Sequence, residues 1–600
     1  MIDSEQSFVF DRRSFIVLAA GGALSMLLIF RMAQLQIVGG GRYRRQSEKS
    51  LMKVRINVPP RGIIYARDGS ALATNITSYR AYIIPREVQD INLVLDLLRY
   101  KFGFRQSKLA FVEKNYRKNR RSYSPLFVKE NISWKDMSDL RTHNKTQGFY
   151  VEQSLSRSYP NGALGAHVIG YVGNVDENDL KTRFDPNSEI LYFKIGKTGL
   201  EKKFDAQLRG IAGRSMYMVD VLGRVVRDGV AVRDGVAGEN LHTTISPSIQ
   251  KSLETAFADY PSVSGVVMEI ETGEVLAMAS TPNFNPEKFQ SDELGEYFEE
   301  LKNDKHKPFV NKAIEGGYPP GSTFKIVVAM AALEGGAITP QESVVCTGEW
   351  MYGNHKYHCW KKNGHGRQNM FDAIAHSCDI YFYQLALKIG MDAIKAMALK
   401  LGFGVVLQND LAGEIPGIIP DRKWKERRVG SNWVHGDTVI SGIGQGFVVA
   451  TPIQICTMMC RLISNTKVVP KIVNYSDHSA PAPKLDLHEP NVQIVLTGLG
   501  NVTKKGGTAE IANINVNGKT MGGKTGTSQV RRISEQERDS GVRTNDQLPW
   551  HLRNHGLFVG FAPTDAPKYA VMVVTEHSGG STNAALIASR VMRDILKGEK

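Results

Sequence analysis

The chain has 600 residues, of which 42% are hydrophobic and 22% are charged, and its formal net charge at pH 7 is +15. This length exceeds what one hydrophobic core supports and predicts two or three domains, and the composition is typical of a folded protein. The basic clusters are scattered and no nucleic-acid-binding motif accompanies them, so we expect no nucleic-acid partner; a basic exterior suits an anionic membrane or polymer as well.

The N-terminal segment predicts a membrane anchor. Residues 14–30, SFIVLAAGGALSMLLIF, form an uncharged apolar run, and the following MAQLQIV can extend it to the length of a membrane span. Because Arg12 and Arg13 precede the run, we expect a short cytoplasmic tail (1–13), an anchor (14–34) and a body on the other side of the membrane. A cleaved signal peptide is the alternative, but no convincing small-x-small cleavage site follows the run.

Two regions with different patterns follow the anchor. Residues 35–240 combine short strand patterns with turns and helical patches, which predicts a mixed α/β domain. Residues 241–600 begin with a strand, an amphipathic helix from about 247 and two β-rich runs around the turn at 271–273. Strand patterns recur in HGLFVGFAP and KYAVMVVTEH before a final helix at 582–597. Strands at both ends with helices between them predict an α+β domain with one sheet.

A helix of almost only apolar residues contains one lysine. After the turn GGYPPG, residues 324–333 are nearly all apolar apart from Lys325, a pattern typical of a core helix, where a lysine is costly unless it is paired or used. Because residues three apart share a helical face, the Lys325 amine can reach the Ser322 hydroxyl. Such a pair can also be a helix cap and a surface lysine, which is our interpretation of a second S-x-x-K, Ser248 to Lys251.

Two further elements follow in order along the chain. Ser377-Cys378-Asp379 precedes an aromatic helix, and Lys524-Thr525-Gly526-Thr527 follows two glycines in a strand-like setting. The ordered set S-x-x-K, S-x-N or S-x-D, and K-T-G is typical of penicillin-binding proteins and serine β-lactamases. Single pieces recur elsewhere, as K-T-G at 197–199 and as S-x-N at 581–583, but outside the required order. The ordered triple is therefore a specific prediction of serine acyl-transfer chemistry.

The chain resembles the class B penicillin-binding proteins, and most closely their penicillin-binding protein 2 branch, which serves cell elongation. The resemblance covers nearly the whole chain; its segments are PPRGIIYARDGSALA, IGKTGLEKKFDAQLRG, GYPPGSTFK, SGIGQGFVVATPIQI, GGKTGTSQV and HGLFVGFAPTD. It implies an N-terminal anchor, an elongated mixed α/β pedestal domain (35–240) and a C-terminal penicillin-binding, serine β-lactamase-like transpeptidase domain (241–600). Two positions depart from the family pattern: Ala66 stands where Asp is usual, and Asp379 replaces the more general Asn, as is common in this branch.

The resemblance implies a monofunctional peptidoglycan D,D-transpeptidase of wall elongation that β-lactams inhibit covalently. Ser322 is expected to attack the carbonyl between the terminal D-alanines of a stem peptide, with Lys325 as the base. Ser377 and Lys524 are expected to pass a proton to the departing D-alanine, and Asp379 to hold this network. The oxyanion hole and the binding of the substrate carboxylate are expected to involve the Ser322 backbone together with Thr525, Gly526 and Thr527.

Three cysteines and a histidine near the second motif form a candidate zinc site. The chain has five cysteines, an odd and small number that argues against a disulfide framework. By spacing alone the three cysteines are compatible with buried thiols, with or without one disulfide, or with a non-standard Cys₃His zinc site. Some relatives in the family bind zinc beside the active site at these positions, so the resemblance favours a structural zinc, with no cofactor for catalysis. The expected ligands are Cys346, Cys359, His365 and Cys378, with His355 and His358 as alternatives, whereas Cys456 and Cys460 are interpreted as small core residues.

The resemblance also implies a location and partners. We expect a single-pass protein of the inner membrane with its bulk in the periplasm. The expected partners are stem peptides and their lipid-linked precursor, a SEDS-type glycosyltransferase, other elongation-complex proteins, and β-lactams as inhibitors. Residual D,D-carboxypeptidase activity is left open.

Several other functions remain as alternatives. One is a division-specific class B transpeptidase, and another is a bifunctional glycosyltransferase–transpeptidase, for which we recognise no acidic motifs before residue 240. A third is a non-catalytic scaffold or β-lactam sensor, against which the complete triple and the short cytoplasmic tail argue. A β-lactamase is disfavoured, because residues 380–524 contain no E-x-x-x-N of the class A type.

Overall fold

The computed structural model describes residues 12–38, 41, 52–123, 125–143, 146–184, 190, 193–220, 225–291, 294–407, 410–474, 481–531, 533, 537 and 541–598. Its contacts divide the chain into two compact units. The first comprises Met1–Pro59, Thr77–Ser154 and Ile211–Val236, and the second Pro60–Ile76, Leu155–Gly210 and Ala237–Lys600. Residues 60–76 and 155–210 thus group with the C-terminal residues, and the expected domain boundary at residue 240 stays a prediction.

The first unit begins with an apolar helix, Arg12–Ala33, which continues as a π-helical turn over Gln34–Val38. Residues Phe15–Ile37 are long and apolar enough to cross a membrane, and within the described part of the chain no other helix is. The large apolar side chains of this helix are exposed, as expected for a segment whose apolar surface faces lipid. The predicted tail, residues 1–13, lies mostly outside the described residues.

The remainder of the first unit is mixed α and β structure, as predicted. An antiparallel sheet places Gly213–Val219 between Met52–Asn57 and Val225–Arg233. The strand Leu126–Ile132 and the helices Ile91–Phe102, Gln106–Asn119 and Trp134–His143 surround a small core that includes Val94, Leu98 and Val112. The strands Ala71–Ile83 and Phe149–Ser158 each contain residues assigned to both units.

The parts of the second unit before residue 240 are held by a buried ion network. Glu201 is fully buried and accepts from Arg61 Nε at 2.6 Å and from Arg157 Nε at 2.7 Å. Removal of one partner from a buried ion pair strongly destabilises a protein. The segments PPRG and GKTGLEKKFDAQLRG supply Arg61 and Glu201 to this network, so we interpret their role as structural. Ala66, the departure from the family pattern, is buried and begins the turn in which Gly69 N donates to its carbonyl at 3.0 Å. The short elements here are Ile64–Tyr65, Ala166–Ile169, Val172–Asn174, Glu177–Thr182, Lys194–Gly196, Gly199–Lys203, Asp205–Arg209 and Leu241–His242.

A five-stranded antiparallel sheet is the centre of the second unit. Its strand order is Val275–Thr281, Val263–Glu269, Tyr569–Thr575, His555–Ala562 and Gly522–Ser528. The first two strands form the predicted hairpin, with Gly273 at φ +73°, and the C-terminal strands pair beside them, so the expectation of one sheet closed by both ends of the domain is confirmed. Almost every residue of the four strands Val263–Glu269, Val275–Thr281, His555–Ala562 and Tyr569–Thr575 is buried, because helices cover both faces of the sheet.

Helices surround this sheet and carry the site. Pro247–Ala256, Pro452–Ser464 and Thr582–Gly598 pack directly on its strands. Cys456 and Cys460 lie in the second of these helices and are fully buried, and none of the five cysteines forms a disulfide. The other helices are Leu294–Asn303, Lys312–Glu315, Lys325–Glu334, Met370–Ala375, Asp379–Leu401, Arg422–Val429, His435–Ser441 and Glu489–Val502.

Candidate active site

The predicted nucleophile lies in a tight turn against the K-T-G strand. Gly321–Phe324 form a 3₁₀ turn that leads into the buried helix Lys325–Glu334. Gly321 has φ +54°, and a Cβ atom at this position would lie 2.6 Å from the carbonyl oxygen of Thr527 and 3.2 Å from its nitrogen. Only glycine permits this approach, which brings the backbone of Gly321, the residue before Ser322, beside the backbone of Thr527.

The Lys325 amine is aimed at the second motif. Its Nζ donates to Asp379 Oδ1 at 2.7 Å, to the Ser377 carbonyl at 2.9 Å and to Ser377 Oγ at 3.3 Å. Lys325 is fully buried, so the carboxylate of Asp379 supplies the partner that a buried ammonium requires. Among the described contacts Lys325 has no hydrogen bond to Ser322, so its role as the base of that serine stays a prediction.

The second motif holds a strained backbone. Ser377 connects the helices Met370–Ala375 and Asp379–Leu401 with φ +56°, a left-handed conformation that costs a non-glycine residue about 1 kcal/mol. Trp360 stabilises the arrangement, because its Nε1 donates to the Ser377 carbonyl at 3.1 Å and its backbone N–H to Asp379 Oδ2 at 2.9 Å. In this conformation the Ser377 Oγ lies 3.3 Å from the Lys325 Nζ.

The third motif forms the strand Gly522–Ser528, as predicted, and the structure places this strand at the edge of the central sheet. Lys524 is fully buried, and burial together with the charge of Lys325 holds its pKa well below the ordinary value. A lysine with a lowered pKa can be a neutral amine that accepts or relays a proton. The structure therefore pairs an ion-paired Lys325 with a desolvated Lys524.

Two residues that contact the third motif were missed in the sequence. Thr508 Oγ1 lies 3.0 Å from Thr525 Oγ1 and 3.3 Å from the Ala375 carbonyl, so it links the third motif to the helix before the second. Gln445 Nε2 donates to the Thr527 carbonyl at 2.8 Å and fixes the end of the K-T-G strand. Gln445 belongs to the segment SGIGQGFVV that carries the family resemblance, which was a usable signal, whereas Thr508 had none.

A buried polar cluster lies behind the nucleophile turn. Tyr318, four residues before Ser322, donates its hydroxyl to Glu576 Oε1 at 2.8 Å, and Glu576 also accepts from Ser262. Burial opposes ionisation of Glu576, but the hydrogen bonds from Ser262 and Tyr318 and the charge of Lys312 outweigh it and lower its pKa. This half-buried carboxylate connects the start of the nucleophile turn to two strands of the central sheet.

The four predicted zinc ligands come together. The ligand atoms of Cys346, Cys359, His365 and Cys378 all lie within 4.8 Å of one another. His365 Nδ1 is 3.6 Å from the sulfur of Cys346 and 3.5 Å from that of Cys359, and ligands on a tetrahedral zinc with ordinary bond lengths are about 3.5 Å apart. The donor set and these distances fit zinc. The alternatives His355 and His358 lie in the neighbouring strand His355–His358 and outside the cluster.

The three look-alike motifs have structural surroundings. Ser248 and Lys251 are both exposed, and Ser248 Oγ contacts Ser246 Oγ at 3.0 Å. Lys197 of the second K-T-G forms ion pairs with Asp176 and Asp179. The S-x-N at 581–583 lies at the start of the C-terminal helix. None of them lies within a buried lysine–serine–aspartate set like that of Lys325.

The arrangement supports nucleophilic acyl transfer. A serine in a tight turn, two buried lysines, a second serine and an aspartate converge on one edge of the sheet. The backbone of Gly321, the residue before Ser322, lies close to the backbone of Thr527; the use of the Ser322 and Thr527 N–H groups as an oxyanion hole stays a prediction.

Comparison with known proteins gives family matches to both parts of the chain. A family model described as the penicillin binding protein transpeptidase domain matches residues 263–597, and one described as the penicillin-binding protein dimerisation domain matches residues 56–243. The chain is 32% identical to the peptidoglycan D,D-transpeptidase MrdA of Haemophilus influenzae, over 97% of this chain and 91% of that protein.

Two solved structures are also similar. The penicillin-binding protein PBP2 of Helicobacter pylori, solved in complex with MreC, has a TM-score of 0.77 and 27% identity over 91% of this chain and 99% of that one. A chain from a peptidoglycan synthase complex, solved to describe the coordination of polymerization and crosslinking, has a TM-score of 0.69 and 26% identity, over 99% of both chains. These similarities extend over both units of the chain.

Proposed function

The chain belongs to the penicillin-binding protein transpeptidase family, and from this we propose that it is a peptidoglycan D,D-transpeptidase of cell-wall elongation. The observation that carries the proposal is the convergence of the three ordered motifs: Lys325 contacts Ser377 and Asp379, and the turn that holds Ser322 lies against Thr527. β-Lactams are expected to acylate the same serine.

In the proposed reaction Lys325 acts in its neutral amine form: Ser322 Oγ bonds to the carbonyl carbon between the two terminal D-alanines, and its proton passes to the Lys325 amine. Asp379, 2.7 Å from the Lys325 amine, stabilises the resulting ammonium. The backbone N–H groups of Ser322 and Thr527 stabilise the oxyanion. The amide bond then breaks, and the departing D-alanine takes up the proton through Ser377 and Lys524.

The second half of the reaction restores the enzyme. An amine on a neighbouring stem peptide attacks the ester carbon, the bond to Ser322 Oγ breaks, and the serine regains its proton. The Thr525 and Thr527 hydroxyls, with Lys524, hold the carboxylate of the donor stem. Residual attack by water on the same ester would appear as carboxypeptidase activity.

We further propose that Cys346, Cys359, His365 and Cys378 hold one structural zinc. The cluster of thiols and imidazole at suitable distances supports this. Zinc supplies no chemistry to the reaction; the four residues tie the segment 346–365 to the second motif, because Cys378 lies between Ser377 and Asp379.

The proposed setting is the inner membrane. The apolar helix Phe15–Ile37 is consistent with a single-pass anchor, and we place the N-terminus in the cytoplasm and the bulk in the periplasm because Arg12 and Arg13 precede the span. The similarity to a PBP2 solved with MreC and to a chain of a peptidoglycan synthase complex supports elongation-complex partners, among them a SEDS-type polymerase.

Covalent labelling with a fluorescent penicillin tests the function. The full chain in detergent should acquire one adduct, which peptide mapping places on Ser322. Ser322→Ala should abolish labelling, and Ser248→Ala, the matched change in the exposed S-x-x-K, should label at the parental rate. An adduct that persists in folded Ser322→Ala protein would contradict the proposal.

A further inference from the structure

A basic cleft lies in the first unit at the end of the helix Gln106–Asn119. It has a volume of about 610 Å³ and is lined by the buried Tyr116, whose hydroxyl donates to the Val88 carbonyl at 3.4 Å. A backbone hydrogen bond of 3.1 Å from Arg86 to Ser122 joins the two segments that form the cleft. Five exposed cationic side chains line it: Arg86, Arg117, Lys118, Arg120 and Arg121.

Four of these five cations lack an acidic partner among the described residues. Arg117 pairs with Glu113 at 2.5 Å, and the nearby Glu87 accepts a hydrogen bond from Tyr150. Within the described residues, the other four cations of the cleft form no ion pair. Like charges that line one cleft without acidic partners repel each other, which opposes folding.

Helix electrostatics account for only part of the cluster. The negative end of a helix macrodipole favours cations in the last turn, where Arg117 and Lys118 lie. The effect does not extend to Arg121, beyond the helix, or to Arg86, on a different segment. A cluster that costs stability and is gathered from two segments is expected to have an anionic ligand.

We infer that this cleft binds the carboxylate-bearing glycan strand, with its uncross-linked stem peptides, on which the enzyme acts. The identity of the polymer rests on the proposed function. Arginine predominates in the cleft, and its planar guanidinium matches a carboxylate through two parallel hydrogen bonds. Stem peptides present carboxylates repeatedly along one strand, so several weak contacts act together. A membrane surface fits less well, because these cations line a concave cleft and a bilayer is flat.

Binding of soluble glycan strands tests the inference. The full chain in detergent is first acylated with penicillin, so that the active site is blocked, and is then titrated into labelled uncross-linked strands with intact stem peptides. Parental protein should bind with an affinity that falls as salt rises. The double variant R120E/R121E should bind about tenfold more weakly, since it converts two attractions into repulsions.

A matched variant and a matched ligand complete the design. R427E/R428E makes the same charge change at two exposed arginines of the helix Arg422–Val429 and should bind as the parent does. Strands whose stem carboxylates are amidated should bind the parental protein about tenfold more weakly; this comparison needs no variant and decides the matter if R120E/R121E does not fold.

Three results would overturn the inference: equal binding by R120E/R121E and parent, equal loss in both double variants, or equal binding of native and amidated strands. If the cleft instead serves an acidic protein, the first of these results is expected. The penicillin adduct measured in the same samples reports on the proposed function separately.

Discussion

The residues of the site are distinguished by their partners more than by their motifs. Lys325 and Lys524 are both fully buried, but only Lys325 has a carboxylate within hydrogen-bond distance. Burial lowers the pKa of Lys524, so the two amines are suited to different steps of proton transfer. Among the described residues, Tyr318 and Glu576 form no hydrogen bond with the three motifs; their hydrogen bond to each other stabilises the start of the turn that contains Ser322.

Removing the Tyr318 hydroxyl should therefore loosen the nucleophile turn. Tyr318→Phe leaves the ring but takes a donor from the half-buried Glu576 carboxylate, and a hydrogen bond to a charged group typically contributes about 1.5–3 kcal/mol. We expect a lower melting temperature and slower penicillin acylation at saturating penicillin. Tyr171→Phe is the control, since the Tyr171 hydroxyl has no hydrogen bond among the described residues. Acylation at the parental rate by Tyr318→Phe would contradict a positioning role.

The loss of folding stability at acidic pH should depend in part on His167. Burial, opposed by the bond to the Pro308 carbonyl at 2.7 Å, lowers the pKa of His167 to about 4. Between about pH 6.5 and 4 the unfolded chain binds a proton here that the folded protein does not, so stability falls as the pH falls through this window, by about 3 kcal/mol in total. His167→Gln keeps a donor for Pro308 without titrating, and its melting temperature should fall less between pH 7 and 4.5. Parallel pH profiles for both proteins would refute this.

Among the elements, contacts between glycines and backbone decide how the site is assembled. The nucleophile turn fits against the K-T-G strand because Gly321 and Gly526 leave room: a Cβ atom on Gly526 would lie 2.9 Å from the Pro320 carbonyl oxygen. The turn is also bound to the segment SGIGQG, since Gly321 N donates to the Gly444 carbonyl at 2.9 Å. The strand, the turn and this segment thus form one packed assembly around Ser322.

The stability of the segment 346–365 should depend on a bound metal ion. If zinc binds the folded protein only, its removal lowers the melting temperature, and because Cys378 adjoins Ser377 and Asp379 the acylation rate should fall as well. Elemental analysis of protein purified without chelators should give about one zinc per chain. His365→Ala should match chelated protein in both measurements, whereas Cys456→Ala, in a buried cysteine outside the cluster, should retain the metal. Zinc-free protein that melts and labels normally would exclude the site.

At the scale of the whole molecule, the apolar N-terminal helix is expected to determine where the enzyme works. The mature protein should begin near Met1 and stay with membranes through high-salt washing, since an apolar helix of this length partitions into lipid independently of charge. Sequencing of the mature N-terminus checks this. A start beyond residue 30 would indicate a cleaved signal peptide instead.

The sequence by itself determined the features that depend on local pattern and on order along the chain. The apolar run at 14–30, the core helix after Ser322, the hairpin at 263–281 and the K-T-G strand each follow from short-range periodicity or turn residues, and the structure has them. The order of the three motifs indicated the chemistry, whereas spacing alone left the three cysteines open and only the family resemblance favoured the set of four residues as ligands.

Only the tertiary structure decided which side chains meet. It directs Lys325 to Ser377 and Asp379, brings Thr508 to Thr525, and joins Tyr318 to Glu576 across 258 residues. It also groups residues 60–76 and 155–210 with the C-terminal unit. The physical reason is that such contacts depend on the path of the whole chain: a hydrogen bond between distant residues leaves no periodic trace in either segment, whereas burial and turn geometry do.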